Sequence, residues 1–407
     1  MLDTRPMAQF MKSLAAFPHR HYFDHNATTP VCDAVMEVLP DALLQWGNPS
    51  SIHWGGRGSK TLLRESRQAV AQSLNVSPLE IVFTSGGSES NACILQGLAE
   101  EFQHSSRREI LSTRLEHPSV LKNLLDLEER GFHVHWIPVH PERGLDLEFY
   151  RNALSEKTAF VTCMMANNET GMIFPLDQMI PMAHQVGALF HTDAVQAWGK
   201  TPLDFQKLPV DYASFSGHKF YSVKGSGFLF ARRSRPFHSL ILGGGQERHR
   251  RGGTENTLGI AALGVVASMA SQIAEQSARL EKLRDLFESE VDRLISDVHW
   301  TSKNLNRLKN TSHLLIPGVD GETLLMSLDM KGYAVSTGAA CSSGNPEPSP
   351  VLLALGMSRA QAQQSLRVSL GWGNTEEEVL QFAQVLQQVV HHLRQISKSS
   401  IDRQEVR

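Results

Sequence analysis

The chain has 407 residues, with 39 Lys and Arg against 42 Asp and Glu, a formal net charge of −3 at pH 7. Hydrophobic residues make up 41% and charged residues 20%, enough apolar material for a packed core and too little net charge for a disordered chain. Near-neutrality removes bulk attraction to nucleic acid or an anionic membrane as a leading function, and the length predicts two or three domains or one large unit with an appendage.

The N-terminal stretch MLDTRPMAQFMKSLAAF has no uninterrupted hydrophobic segment followed by a small-residue cleavage site, so no export signal is expected. After an extended opening, YFDHNATTP (22–30), Leu62, Leu63, Ala69, Val70 and Leu74 recur at helical spacing over 59–74. EIVFT (80–84) is a β-rich run that stops at Ser85-Gly86-Gly87-Ser88, and a helix-compatible segment follows from Glu89 to Phe102. Further strands are predicted at 109–113, 133–138, 159–166, 188–192, 212–216 and 227–231, several separated by helical stretches. That alternation is the pattern of a mostly parallel sheet covered on both faces.

Past about residue 265 a long helix is predicted to run to Ser296, followed by short strands at 313–317 and 366–370 mixed with helices. The last helix opens with Thr375-Glu376-Glu377-Glu378, a capping box. Val379, Phe382, Leu386, Val389 and Leu393 then form one apolar stripe. The longest nearly apolar stretch, 259–270, is short of the ~20 residues a membrane-spanning helix needs. Cys32, Cys93, Cys163 and Cys341 lie far apart with no CxxC pair. That excludes a disulfide framework and a zinc site, and it suits the reducing cytoplasm.

Three segments carry chemistry. Ser85-Gly86-Gly87-Ser88-Glu89 places glycines and hydroxyls between a strand and a helix, where the first N–H groups of the helix can bind an anion. Asp193 stands at the end of an apolar strand, either to cap the next helix or to hold a cofactor's ring nitrogen protonated. Lys219, in Ser214-Phe215-Ser216-Gly217-His218-Lys219, lies just past another strand and is either a solvated charge or a Schiff-base amine. The chain between aspartate and lysine is long enough for a crossover connection to a neighbouring strand. Phosphate loop, strand-end Asp and strand-end Lys come in the order expected of a pyridoxal phosphate enzyme.

From YFDHNATTP to SLRVSLGWGNTEEE the sequence resembles the cysteine desulfurases of the class V aminotransferase group, above all in SFSGHKFYSVKGSG (214–227), GGGQERHRRGGTEN (243–256) and STGAACSSG (336–344). The resemblance implies an α/β fold of the fold-type-I pyridoxal-phosphate class. It divides the chain into a large domain over 29–276 and a small α+β domain built from 1–28 and 277–407, working as a homodimer. It implies pyridoxal 5'-phosphate as cofactor, with Lys219 as the Schiff-base lysine, Asp193 on the ring nitrogen, Gln196 on the ring oxygen, His117 stacked over the ring as a catalytic proton relay and Asn168 also at the cofactor. Gly87, Ser88, Ser216 and His218 would form the phosphate site, and Thr254 would reach the phosphate of the partner subunit. Asn168 and Arg367 would hold the substrate carboxylate, for which a planar guanidinium is suited.

Cys341 would be the nucleophile that takes sulfur from L-cysteine, leaving alanine and a persulfide for an acceptor protein in iron–sulfur cluster assembly or thiolation. Its surroundings, TGAACSSGNPEPSP, favour an exposed irregular loop, whereas the other three cysteines are expected in packed elements. The segment 342–355 resembles the group with an extended cysteine loop. Gly87-Ser88 stands where Ala-Thr is frequent and Gln246 where His is frequent, and the tail SKSSIDRQEVR differs from that of the housekeeping cluster-assembly enzymes. Selenocysteine lyase or an aminotransferase of the same fold is the alternative reading, and a non-catalytic binding protein the alternative of a different class. Arg248, Arg250 and Arg251 are expected at a dimer interface or anion site rather than on nucleic acid. No metal site and no membrane contact are expected.

Overall fold

A computed structural model describes residues 19–337 and 347–405. The expected N-terminal segment and Cys341 itself lie outside the described residues.

All seven strands predicted between residues 80 and 231 form, and they make one sheet. They are β1 (Ile81–Thr84), β2 (Glu109–Thr113), β3 (His133–Ile137), β4 (Thr158–Thr162), β5 (Leu189–Asp193), β6 (Tyr212–Ser216) and β7 (Gly227–Ala231). Their order across the sheet is β1-β7-β6-β5-β4-β2-β3. β7 runs antiparallel to both neighbours, while β6, β5, β4, β2 and β3 pair in parallel.

Successive side chains leave opposite faces, and both faces are buried along most of the strands. Val82, Ile110, Phe160, Leu189 and Leu229 join one core with Ile94, Leu98, Leu124 and Leu127. These come from the helices α2 (Gly87–Phe102) and α3 (Pro118–Glu129). Ile81, Phe83, Leu111, Val161, Phe190, Phe215 and Phe228 join the other core with Val70, Leu74, Leu263 and Val266. Val70 belongs to α1 (Trp54–Ser73), and Leu263 and Val266 to α4 (Thr257–Ser268). Each fully buried Phe or Leu contributes roughly 1.5–3 kcal/mol. A sheet sandwiched in this way leaves its strand ends as the place for chemistry.

The single long helix expected from residue 265 begins earlier and is broken. α4 ends at Ser268, a 3-10 turn spans Met269–Gln272, and α5 (Ile273–Leu294) follows. Ser268 Oγ donates to the carbonyl of Val265 at 2.6 Å, a local bond that competes with the helical ladder and bends it. The run Thr257–Leu294 is also apolar and long enough to meet a membrane-span test by composition, but more than half of its apolar window is buried inside this fold.

A second, antiparallel sheet joins His299–Trp300, β8 (Thr311–Leu315) and β9 (Ser365–Ser369). The first described residues belong to it in space: His21–Tyr22 pairs in parallel with Tyr333–Ala334, and Asp24 bridges to Ser369. The closing helix, α6 (Glu376–Glu405), has the expected box, with Thr375 N donating to Glu378 Oε2 at 3.0 Å and Glu378 N to Thr375 Oγ1 at 3.2 Å. Its stripe of Val379, Phe382, Leu386 and Val389 is buried.

Candidate active site

The strand ends of the large sheet and the edge of the second sheet enclose a cavity of about 500 Å3. Gly87, Ser88, His117, Asn168, Asp193, Gln196, Ser216, His218, Lys219 and Arg367 all line it. Thr254 does not; it is exposed, in the segment between Arg251 and α4.

The inner wall is built by consecutive strand ends. Asp193 is the last residue of β5, and its Oδ1 accepts from Val195 N at 3.0 Å while its Oδ2 accepts from Asn91 Nδ2 at 2.7 Å. The carboxylate therefore caps the turn and also lines the cavity. Lys219 ends a 3-10 turn, Gly217–Lys219, directly after the adjacent parallel strand β6. Its Nζ donates to the carbonyls of Asn26 at 2.8 Å and Ala27 at 2.6 Å. Burial, helped by the charge of Arg367, lowers its pKa to about 8. A lysine near 8 supplies neutral amine close to neutral pH, which a Schiff-base nucleophile requires.

At the anion end, α2 starts at Gly87 directly after Gly86, whose φ is +155°. A Cβ at Gly87 would lie 2.6 Å from Val195 Cγ2, so glycine lets the helix start sit against the turn after β5 without displacing that side chain. The free N–H groups of the first turn, Ser88 and Ser216 face the same end of the cavity. His218 lies beside them, its Nδ1 3.1 Å from Thr28 Oγ1 and its pKa lowered to about 4 by burial and by Lys219 and Lys224. His117 caps α3, with its Nδ1 accepting from Ser119 N at 3.1 Å, and desolvation lowers its pKa as well.

Arg367 forms the outer wall from the middle of β9. Its Nη2 donates to Asp24 Oδ1 at 2.6 Å and its Nη1 to the carbonyl of Asn168 at 3.1 Å. Nε is buried and has no partner among the described residues. Neither do Asn91 Oδ1 and Glu116 Oε2, which also belong to cavity-lining residues. Buried polar atoms left over around a cavity fit a polar occupant.

Sequence reasoning missed several contributors. Glu116 takes Met164 N at 2.6 Å, and burial raises its carboxyl well above the usual range, with Asp193 adding to the shift. Glu169 accepts from Ser349 Oγ at 2.5 Å, and burial raises it to about 7. Asp24, Asn26 and Lys200 were also missed. Asp24 and Asn26 lie inside YFDHNATTP, Glu116 precedes His117 and Glu169 follows Asn168, so proximity to quoted motifs was the available signal.

The class V aminotransferase family matches residues 21–382. The cysteine desulfurase IscS of Dictyoglomus turgidum is 40% identical over 379 residues, covering 92% of this chain and 96% of that protein. The chain belongs to the class V aminotransferase family, among its cysteine desulfurases. The cysteine desulfurase NifS of Azotobacter vinelandii is 39% identical over 380 residues, 92% of this chain and 94% of that one. A solved NifS-like protein aligns with a TM-score of 0.84 at 37% identity, over 92% of this chain and 100% of its own. The fold-type-I architecture implied by the sequence is therefore the one this class V aminotransferase relative has.

Two of the three arginines in the desulfurase-like GGGQERHRRGGTEN segment are committed internally. Arg251 Nε pairs with Glu89 Oε1 at 3.0 Å and Arg250 Nη2 donates to the carbonyl of Ile81 at 3.1 Å. That leaves little of a basic patch for a polyanion. Cys32, Cys93 and Cys163 are buried and unpaired by disulfides, as expected of packed thiols.

Proposed function

We propose that the chain takes sulfur from L-cysteine with pyridoxal 5'-phosphate held in this cavity, passing it through Cys341 to an acceptor protein. One observation carries the reading: Lys219, Asp193 and Arg367 converge on a single cavity beside a helix start suited to phosphate. Bound there, the cofactor supplies an electron sink for the electrons of the substrate's Cα–H bond.

The chain's own residues supply the rest. Arg367 holds the substrate carboxylate with the N–H groups that Asp24 and Asn168 leave free. Lys219, once released, moves the proton at the substrate Cα. Asp193 would keep a proton on the ring nitrogen, and His117 would stack over the ring. Gly87, Ser88, Ser216 and His218 would hold the phosphate. The Cys341 thiolate then attacks the substrate sulfur. An S–S bond forms as the C–S bond breaks, and the electron pair stays on carbon and ends, after protonation, in the methyl group of alanine.

The same reading takes the enzyme as a homodimer in which exposed Thr254 serves the partner's phosphate. It divides the chain at about residues 29 and 277, with the pairing of His21–Tyr22 to Tyr333–Ala334 in support. Buried free thiols suit the cytoplasm. The acceptor belongs to cluster assembly or thiolation.

Incubation with cysteine without reductant tests the reading. Native enzyme gains one sulfur mass at Cys341 and releases alanine, while Cys341→Ala still binds the cofactor and gains none. Alanine release at native rate from Cys341→Ala would remove the thiol from the reaction and favour a lyase, which the same variant assayed on selenocysteine would reveal.

A further inference from the structure

Lys200 is a buried lysine whose described hydrogen bonds include no carboxylate. It follows Gln196 by one helical turn's length of chain, and its Nζ donates to Asn26 Oδ1 at 2.7 Å and to Gln196 Oε1. Gln196 Nε2 donates to the Asn26 carbonyl at 2.9 Å, the same oxygen that takes Lys219 Nζ at 2.8 Å. The Asn26 side chain is saturated: Oδ1 also accepts from Asn310 Nδ2 at 3.2 Å, and Nδ2 donates to Thr311 Oγ1 at 2.9 Å and to the Asn168 carbonyl at 3.1 Å. A buried side chain with every group paired, as Asn26 is, fixes the geometry of its partners, because any rearrangement leaves a desolvated group unpaired.

The groups facing Lys200 act on its protonation in opposite senses. Burial dominates, Lys219 and Arg367 oppose its protonation, Asp24 favours it, and the buried imidazole of His25 feels the lysine in turn. The amine is held well below the ordinary lysine range. Protonated or not, the amine has at least two N–H donors, enough for Asn26 and Gln196. An amide side chain can offer a ligand either its oxygen or its NH2 group. With Lys200 on Oε1 and the Asn26 carbonyl on one N–H, Gln196 has its second N–H left for the cavity.

We propose that Lys200 is a positioning residue: by occupying Gln196 Oε1 it fixes that amide as a hydrogen-bond donor to the cofactor's ring oxygen. The proposal rests on the pyridoxal phosphate reading above. A donor on the ring oxygen withdraws electron density from the ring, so losing it makes the bound chromophore hold its proton to higher pH.

The test is a pH titration of the visible band in reconstituted native protein and in Lys200→Met, Gln196→Met and the double variant, with cofactor dissociation constants measured alongside. Lys200→Met should move the midpoint up by about one pH unit, the size expected for one hydrogen bond to a charged oxygen, and weaken cofactor binding about tenfold. Gln196→Met should show the same shift and the double variant no more than either. Lys200→Gln, which keeps a donor, should stay near the native midpoint. Lys200→Thr, too short to reach Gln196, carries the same expectation as Lys200→Met should the latter not fold. An unmoved midpoint in the Met or Thr variant, or an added shift in the double variant, overturns the proposal. A native protein that shows no visible band with pyridoxal phosphate overturns instead the cofactor reading beneath it.

Discussion

The two walls of the cavity are built in opposite ways. The inner wall is a row of strand ends from one sheet, where Asp193 and Lys219 leave adjacent parallel strands. The outer wall is assembled across the chain: Asp24 and Arg367, 343 positions apart, meet at 2.6 Å, and Glu169 reaches Ser349, 180 positions away. Asn26 is the joint, since its carbonyl receives Lys219 and Gln196 from the inner wall while its side chain binds Thr311 of the second sheet. An inner wall of local origin tolerates little change in residue type but is secure in position. The outer wall's position depends on contacts that the chain makes only when folded.

The largest expected effect is on the inner wall. Lys219→Ala removes the amine and the proton carrier together, so alanine release should fall by about 10^4-fold or more, the upper range for a positioned acid–base group. Circular dichroism should stay native, because Lys219 makes its described bonds only to two carbonyls of the opening segment. Borohydride reduction of native enzyme should fix the cofactor on the peptide containing Lys219, and label on another lysine would sink the assignment.

Next in size is the outer wall. Arg367→Gln loses the charge-assisted clamp and leaves Asp24 without its guanidinium, so kcat/KM for cysteine should fall about 100-fold, the equivalent of ~2.7 kcal/mol. Arg367→Lys should restore little, because a point charge cannot bridge Asp24, the Asn168 carbonyl and a substrate carboxylate at once. A variant that retains native KM would remove Arg367 from substrate binding and reduce it to an ion pair joining two segments.

Legibility in the sequence divides along the same line. Strand-end Asp193 and Lys219 are locally marked: an apolar β-rich run stops and a polar residue comes next, which is visible in eight or so letters. The sheet's seven strands were legible for that reason, since burial on both faces leaves near-continuous apolar runs. Asn26 and Lys200 have no such mark. An Asn in an extended opening and a Lys after a turn read as solvated groups, and only tertiary packing places Lys200 on Gln196. The break at Met269–Gln272 was illegible because the apolar pattern continues through it.

A smaller effect couples the walls. Lys219 has a pKa of about 8, with Arg367 the second cause after burial. As pH rises, the neutral amine grows from roughly a tenth at pH 7 to about half at pH 8. Cofactor uptake by the cofactor-free protein should therefore speed up about tenfold per pH unit below that midpoint and level off above it. In Arg367→Gln the neighbouring charge is gone, so the midpoint should move up. A midpoint that stayed at about 8 in this variant would show that burial alone sets the amine.

The smallest expected effect extends the comparison to a segment shaped even more strongly by distant contacts. Glu247, Arg248 and His249 are three consecutive non-glycine residues in the left-handed region, with φ of 48°, 59° and 65°. Nothing local favours this, and each such residue costs about 1 kcal/mol. Glu247 explains why the chain accepts it: buried, it takes Arg67 Nη1 at 2.9 Å and Nη2 at 2.5 Å, and Phe83 N at 2.9 Å. His249 is exposed, so its side chain gains little from burial. His249→Gly should relieve the backbone and raise stability by about 1 kcal/mol, read as a higher denaturant midpoint at unchanged slope. Glu247→Gly, by contrast, should destabilise by roughly 3–5 kcal/mol because it leaves Arg67 buried without its carboxylate. If His249→Gly also destabilised, the imidazole would be holding the turn itself, and distant anchoring would not be what shapes this segment.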